Sequence, residues 1–169
     1  MSAPGSDNLL DRTSVVVGRA ASWFTLFMVT VTFVVVVMRY VFDIGFIWLQ
    51  ESVVWMHAAV FMLGAAYTLQ DEGHVRVDVF YRKMSDQRRA WVDLVGVIIF
   101  LLPLCLFLAW NSIEFVSQSW SIREMSRESG GLPYPLIPML KSIVLLMPIT
   151  VALQGLSLFL KSLKTLRPG

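Results

Sequence analysis

The chain has one cysteine, two histidines and only 15% charged residues, and each scarcity removes a class of chemistry. A lone thiol, Cys105, excludes an intrachain disulfide and any cysteine-based metal site within one chain. No glycine-rich loop is present to cradle a phosphate, and no nucleophile stands beside a base, so phosphoryl transfer and hydrolysis have no machinery here. The net charge is only +2 and the basic residues are scattered through short loops, which leaves no cationic face for nucleic acid.

What is present is apolar length. Hydrophobic residues make up 56% of the 169, and mean hydropathy is +0.67. Residues 20–38, 52–70, 94–113 and 142–160 carry no Asp, Glu, Lys or Arg. Each stretch matches the roughly 20 residues an α-helix needs to cross about 30 Å of hydrocarbon. The first contains Thr30-Val31-Thr32-Phe33-Val34-Val35-Val36-Val37-Met38, which is apolar all round, unlike the one-sided helices of soluble proteins. The sequence therefore predicts an all-α integral membrane protein, a single membrane domain over residues 1–169 with helices at about 20–41, 47–70, 90–117 and 138–163. The run before the first helix is polar and no small-residue cleavage pattern follows it, so that helix is expected to be retained.

The basic residues report orientation. Ten of the 14 flank the outer ends of helices 1 and 4 or lie between helices 2 and 3: Arg12, Arg19, Arg76, Arg82, Lys83, Arg88, Arg89, Lys161, Lys164 and Arg167. Arg39, Arg123, Arg127 and Lys141 fall on the opposite side, so the positive-inside rule places both termini in the cytoplasm.

Between helices 2 and 3, Val77, Phe80, Tyr81 and Met84 share one helical face with Arg76, Arg82 and Lys83 around the other, the pattern of a short interfacial amphipathic helix. The same stretch alternates as a strand would in Val75, Val77 and Val79. Pro103 and Pro148 each remove a backbone donor inside a spanning helix and are expected to bend it.

Polar residues near the membrane are few. On helix 2, Trp48, Glu51 and Trp55 share a face, and His57, Phe61 and Gly64 form a second stripe in which Gly64-Ala65-Ala66 allows close helix approach. His57 reads as a neutral ring bonded to a neighbouring helix, with a ligand or proton-relay role as the alternative. Glu51 reads either as an interfacial carboxylate in water or as the partner of a cation such as Arg39 or one on another subunit. His74 and Asp78 are four apart and suit a hydrogen bond that fixes the inner loop; two ligands do not make a metal site. Outside, residues 118–138 carry Glu124, Glu128 and the breaker-rich Gly130-Gly131-Leu132-Pro133-Tyr134-Pro135.

Four runs together resemble a known family: Arg39-Tyr40-Val41-Phe42, Trp48-Leu49-Gln50-Glu51-Ser52, Phe61-Met62-Leu63-Gly64-Ala65-Ala66 and His74-Val75-Arg76-Val77-Asp78. In order and spacing they resemble the small membrane subunit, DctQ-like, of tripartite ATP-independent periplasmic (TRAP) transporters, over about residues 12–163. The family often has two adjacent acids after the tryptophan, and here the first is Gln50. The resemblance implies a bacterial inner-membrane, sodium-coupled importer of an organic acid or similar small solute. This chain would be its scaffold, without a cofactor or metal of its own, working with a large DctM-like membrane subunit that holds the sodium sites, a periplasmic DctP-like solute-binding protein and membrane lipids. On that basis Arg39, Tyr40, Trp48, Glu51, Trp55 and Gly64 are expected at the large-subunit contact. Glu124, Glu128 and Pro133 are expected where the solute-binding protein docks. A haem- or quinone-binding anchor of a respiratory enzyme is the alternative, and it needs a second deep histidine.

Overall fold

A computed structural model describes residues 9–70 and 84–166. Among them the chain forms four long helices: α1 (Leu9–Val41), α2 (Ile47–Gln70), α3 (Asp86–Ser121) and α4 (Leu136–Leu166). All four contain a segment long and apolar enough to cross a bilayer, and no strand occurs among the described residues. The expected interfacial helix falls largely in residues 71–83, outside the described residues, as do His74 and Asp78.

In hydrocarbon each backbone N–H and C=O needs a partner, which the helix supplies internally, so an apolar run of this length has little choice but to be helical. Buried and lipid-level hydroxyls follow the same rule by bonding carbonyls of their own helix. Thr30 donates to Leu26 (2.9 Å), Thr32 to Met28 (2.7 Å), Ser112 to Leu108 (2.7 Å) and Ser142 to Pro138 (2.8 Å). The helices extend past their apolar stretches because lipid thickness limits hydropathy, not helical structure. α1 starts at Leu9, roughly three turns before its apolar stretch.

The helices pack in a row, in the order α1, α2, α4, α3. α4 is the centre of that row, with α2 on one side and α3 on the other, and it buries Pro138, Ile143, Pro148, Gln154, Gly155, Ser157 and Ser162. α1 packs on α2 and touches α4 only slightly; no residue of its span Trp23–Val41 is buried. A row exposes more side chain than a closed bundle, and here that surface is Leu, Val, Ile and Phe.

Pro103 is expected to bend its helix; before it lies a π-turn, Val97–Leu101, in which the N–H of Leu102 reaches back to Val97 O. The proline ring would otherwise press on the carbonyl four residues earlier, and the extra residue opens the backbone there. Pro148 is fully buried within α4, which continues as helix on both sides. Where α3 and α4 meet, a Cβ on Gly155 would stand 2.3 Å from Leu101 Cδ2 and 3.9 Å from Val97 Cγ1. Only glycine allows the π-turn to come this close.

Candidate functional site

The polar contacts are concentrated at one end of the row, where the α3–α4 connection folds back over the start of α2. The first N–H groups of a helix have no partner within it, and here the loop supplies one: Trp48 donates its N–H to Gly130 O at 3.1 Å. One turn on, the Glu51 carboxylate takes two hydrogen bonds from the same loop. Ser126 Oγ donates to Oε1 at 2.5 Å and the Leu132 N–H donates to Oε2 at 2.6 Å. One turn further, the Trp55 indole donates to Leu136 O at 3.0 Å, and its ring lies 6.2 Å from that of Phe24 on α1. The stripe Trp48, Glu51, Trp55 is thus a seam along which the loop descends beside α2.

The loop is closed on itself as well. Ser126 N–H bonds Leu132 O at 3.0 Å, Gly131 N–H bonds Glu128 O at 3.0 Å, and Ser126 Oγ accepts the Glu128 N–H at 3.1 Å. Gly130 has a φ of 78°, a left-handed turn that glycine makes without strain. Its neighbour Gly131 lies against the carboxylate: an added Cβ would stand 2.3 Å from Ser126 Oγ and 2.7 Å from Glu51 Oε2. Leu132, 5% exposed, seals the inside of the turn. The pair Gly131-Leu132 therefore exists to let one carboxylate be reached by two donors.

A second carboxylate anchors the other end. α3 ends at Ser121, Arg123 takes a φ of 50°, and the chain reverses so that the Glu124 N–H bonds Ser119 O at 3.1 Å. The Glu124 side chain, 20% exposed, meets Lys141 Nζ of α4 at 2.6 Å and accepts the Ser119 hydroxyl at 2.7 Å. The hydrogen bond from Lys141, then that from Ser119, holds its carboxyl below the ordinary glutamate value. Lys141 also lies 4.2 Å from the centroid of the Phe115 ring, and Trp120 Nε1 donates to Ser142 Oγ at 3.0 Å. Three helix ends, those of α2, α3 and α4, are thereby tied through one connecting segment.

The remaining expected residues are placed as follows. Arg39 and Tyr40 close α1 on its exposed surface, Tyr40 at 80%. Gly64 faces open space, with nothing within 4 Å of an added Cβ. Glu128 and Pro133 are exposed on the external loop, together with Arg123 and Arg127, whereas Glu124 is turned inward to Lys141. His57 is exposed on α2, its ring 4.7 Å from that of Phe61. Gln50 is half-buried, and the seam is completed by the single acid at 51. Sequence reasoning gave no site role to Ser126, Gly131, Lys141 or Gly155; the only signal for the first two was the breaker-rich run, which contains Gly131 and follows Ser126.

Among the described residues the buried polar side chains are Ser112, Ser119, Gln154, Ser157 and Ser162, none of them ionisable. No group of three or more His, Cys, Asp and Glu among the described residues is placed to hold a metal ion. The arrangement joins helices. The haem-anchor alternative gains no support from a histidine ring tilted at 46° beside that of Phe61 on the exposed face of α2.

No curated protein and no solved structure matches this chain. A family model does, over residues 28–165, a range that takes in the last 14 of the 33 residues of α1, all of α2 and α3, nearly all of α4 and both carboxylate anchors: that of the DctQ component of tripartite ATP-independent periplasmic transporters. The chain therefore belongs to the DctQ family, the small membrane component of TRAP transporters.

Proposed function

We propose that this chain is the static membrane scaffold of a sodium-coupled importer for an organic acid or similar small solute, seated in a bacterial inner membrane with both termini cytoplasmic. The observation that carries this is the open row: α1 packs on α2 yet buries no residue of its span, while α4 holds the packed centre. One side of such a plate suits lipid and the other a larger membrane subunit. The interior supports a static role, because its seams are closed by glycine, serine and proline and hold no buried acid, histidine, lysine or arginine among the described residues.

In this reading α1 and the outward face of α2, with Arg39, Tyr40, Trp48 and Gly64, meet the large subunit. Glu51 and Trp55 shape that face from behind by fixing the external loop. The exposed part of that loop, including Glu128 and Pro133, contributes to docking of the solute-binding protein. The inner-loop pair His74 and Asp78 holds the cytoplasmic side. Co-purification of the tagged chain in mild detergent tests the assignment. Recovery of a large polytopic subunit in equal amount is the expected result; recovery of the chain alone, or with flavin and iron–sulfur subunits, overturns it.

A further inference from the structure

The chain has 9 methionines, and the structure sorts the described ones by access. Met28 and Met38 on α1, Met56 and Met62 on α2 and Met147 on α4 all lie within the apolar spans and are half-buried there. What protein leaves open on them, lipid covers. Met84 is half-buried just before α3, at the other end of that helix from the α3–α4 connection. Among the described methionines only Met125 and Met139 are exposed, at 59% and 42%. Met139 belongs to the first turn of α4, whereas Met125 lies in the connection itself, outside both helices.

The backbone on either side of Met125 is fastened. Glu124 donates its N–H to Ser119 O and binds Lys141 through its carboxylate. Ser126 donates its N–H to Leu132 O and its hydroxyl to Glu51. Met125 thus links the two carboxylate anchors while its own side chain stays on the surface, with no hydrogen bond to its sulfur among the described residues. A change at that sulfur alters the external surface and leaves both anchors in place.

A thioether reduces peroxides by two electrons. The sulfur attacks one oxygen of hydrogen peroxide, an S–O bond forms as the O–O bond breaks, and the hydroxyl proton passes to the departing oxygen, which leaves as water; sulfur is oxidised and peroxide reduced. Peroxide loses its hydrogen bonds to water on entering hydrocarbon, so it is scarce beside the methionines of the spans. The product at position 125 is a polar, chiral side chain in place of a flexible apolar one.

We propose that Met125 is a reversible oxidation site on the external segment, taking oxygen from a peroxide-class oxidant. The sulfoxide is returned to the thioether by the two epimer-specific methionine sulfoxide reductases, as two thiols become a disulfide and the oxygen leaves as water.

The test treats the full chain in its native membrane with hydrogen peroxide and follows each methionine by peptide mass spectrometry. Met125 is expected to gain one oxygen at least tenfold faster than the methionines of the spans, and ahead of Met139. Both reductases with a thiol donor, added to the solubilised chain, are expected to remove that oxygen. Met125→Leu is expected to abolish the fast uptake and to keep the thermal midpoint within a few degrees of wild type. Uptake at Met125 no faster than at a span methionine, first uptake at Met139, or a sulfoxide that the reductases leave in place overturns the proposal. So does a large fall in midpoint with Met125→Leu, which would put the side chain inside the seam.

Discussion

Replacing Glu51 with alanine withdraws the acceptor from two donors at once and leaves the Leu132 N–H inside a turn that is nearly closed to solvent. A hydrogen bond to a charged group is worth about 1.5–3 kcal/mol, and an orphaned buried donor costs about 1–3 kcal/mol. Ser126 keeps a partner in the Glu128 N–H and can turn its hydroxyl to water, so the loss falls mainly on Leu132. The seam should weaken by about 2 kcal/mol, which is roughly 30-fold in the opening equilibrium because each 1.4 kcal/mol is tenfold. Hydrogen exchange by mass spectrometry on the purified chain reads this directly. Peptides spanning residues 126–136 should exchange roughly 30-fold faster in Glu51→Ala, while α3 and the centre of α4 stay protected. Gly131→Ala should produce the same local signature by crowding the carboxylate out of reach. Unchanged protection of the loop in both variants would refute the assignment of Glu51 to this seam.

At the α3–α4 contact, Gly155→Val should lower stability by about 1–3 kcal/mol by driving a side chain into Leu101, and Leu101→Ala should recover part of it; thermal midpoints of the two single variants and the double check the coupling. The depressed carboxyl of Glu124 contributes stability that is present above the ordinary glutamate value and is lost as pH falls through its lower folded-state value. Lys141→Met removes the leading cause, so the midpoint should fall less steeply on the acid side of pH 4.5 than in wild type, as melting curves across that range would show. Charge reversal at Glu128 should weaken capture of the solute-binding protein by the assembled transporter severalfold with little change in melting, whereas reversal at Glu124 should lower the melting midpoint first, because it sets like charge against Lys141.

The spans were legible because lipid imposes one solution on the backbone, and hydropathy records it residue by residue. The order of helices was not, since side chains between two membrane helices are as apolar as those facing lipid, and nothing in Val97 or Leu101 marks it as facing Gly155. Trp48, Glu51 and Trp55 were legible as one face, but the loop that covers that face lies some 75 to 81 residues away in the chain, a separation that spacing cannot bridge. Glu124 and Glu128 look equivalent in sequence. The left-handed turn at Arg123 separates them, folding Glu124 back over Ser119 and Lys141 while Glu128 faces solvent. Pro103 announced a distortion, and the π-turn is the form that a neighbouring glycine on α4 makes room for.

Uptake into proteoliposomes is the most direct test of the scaffold assignment. The solute-binding protein loaded with solute, a sodium gradient and the large subunit should give transport only when this chain is co-reconstituted, and this chain alone should move nothing. Transport by the chain alone, or undiminished transport by the large subunit without it, would contradict the account.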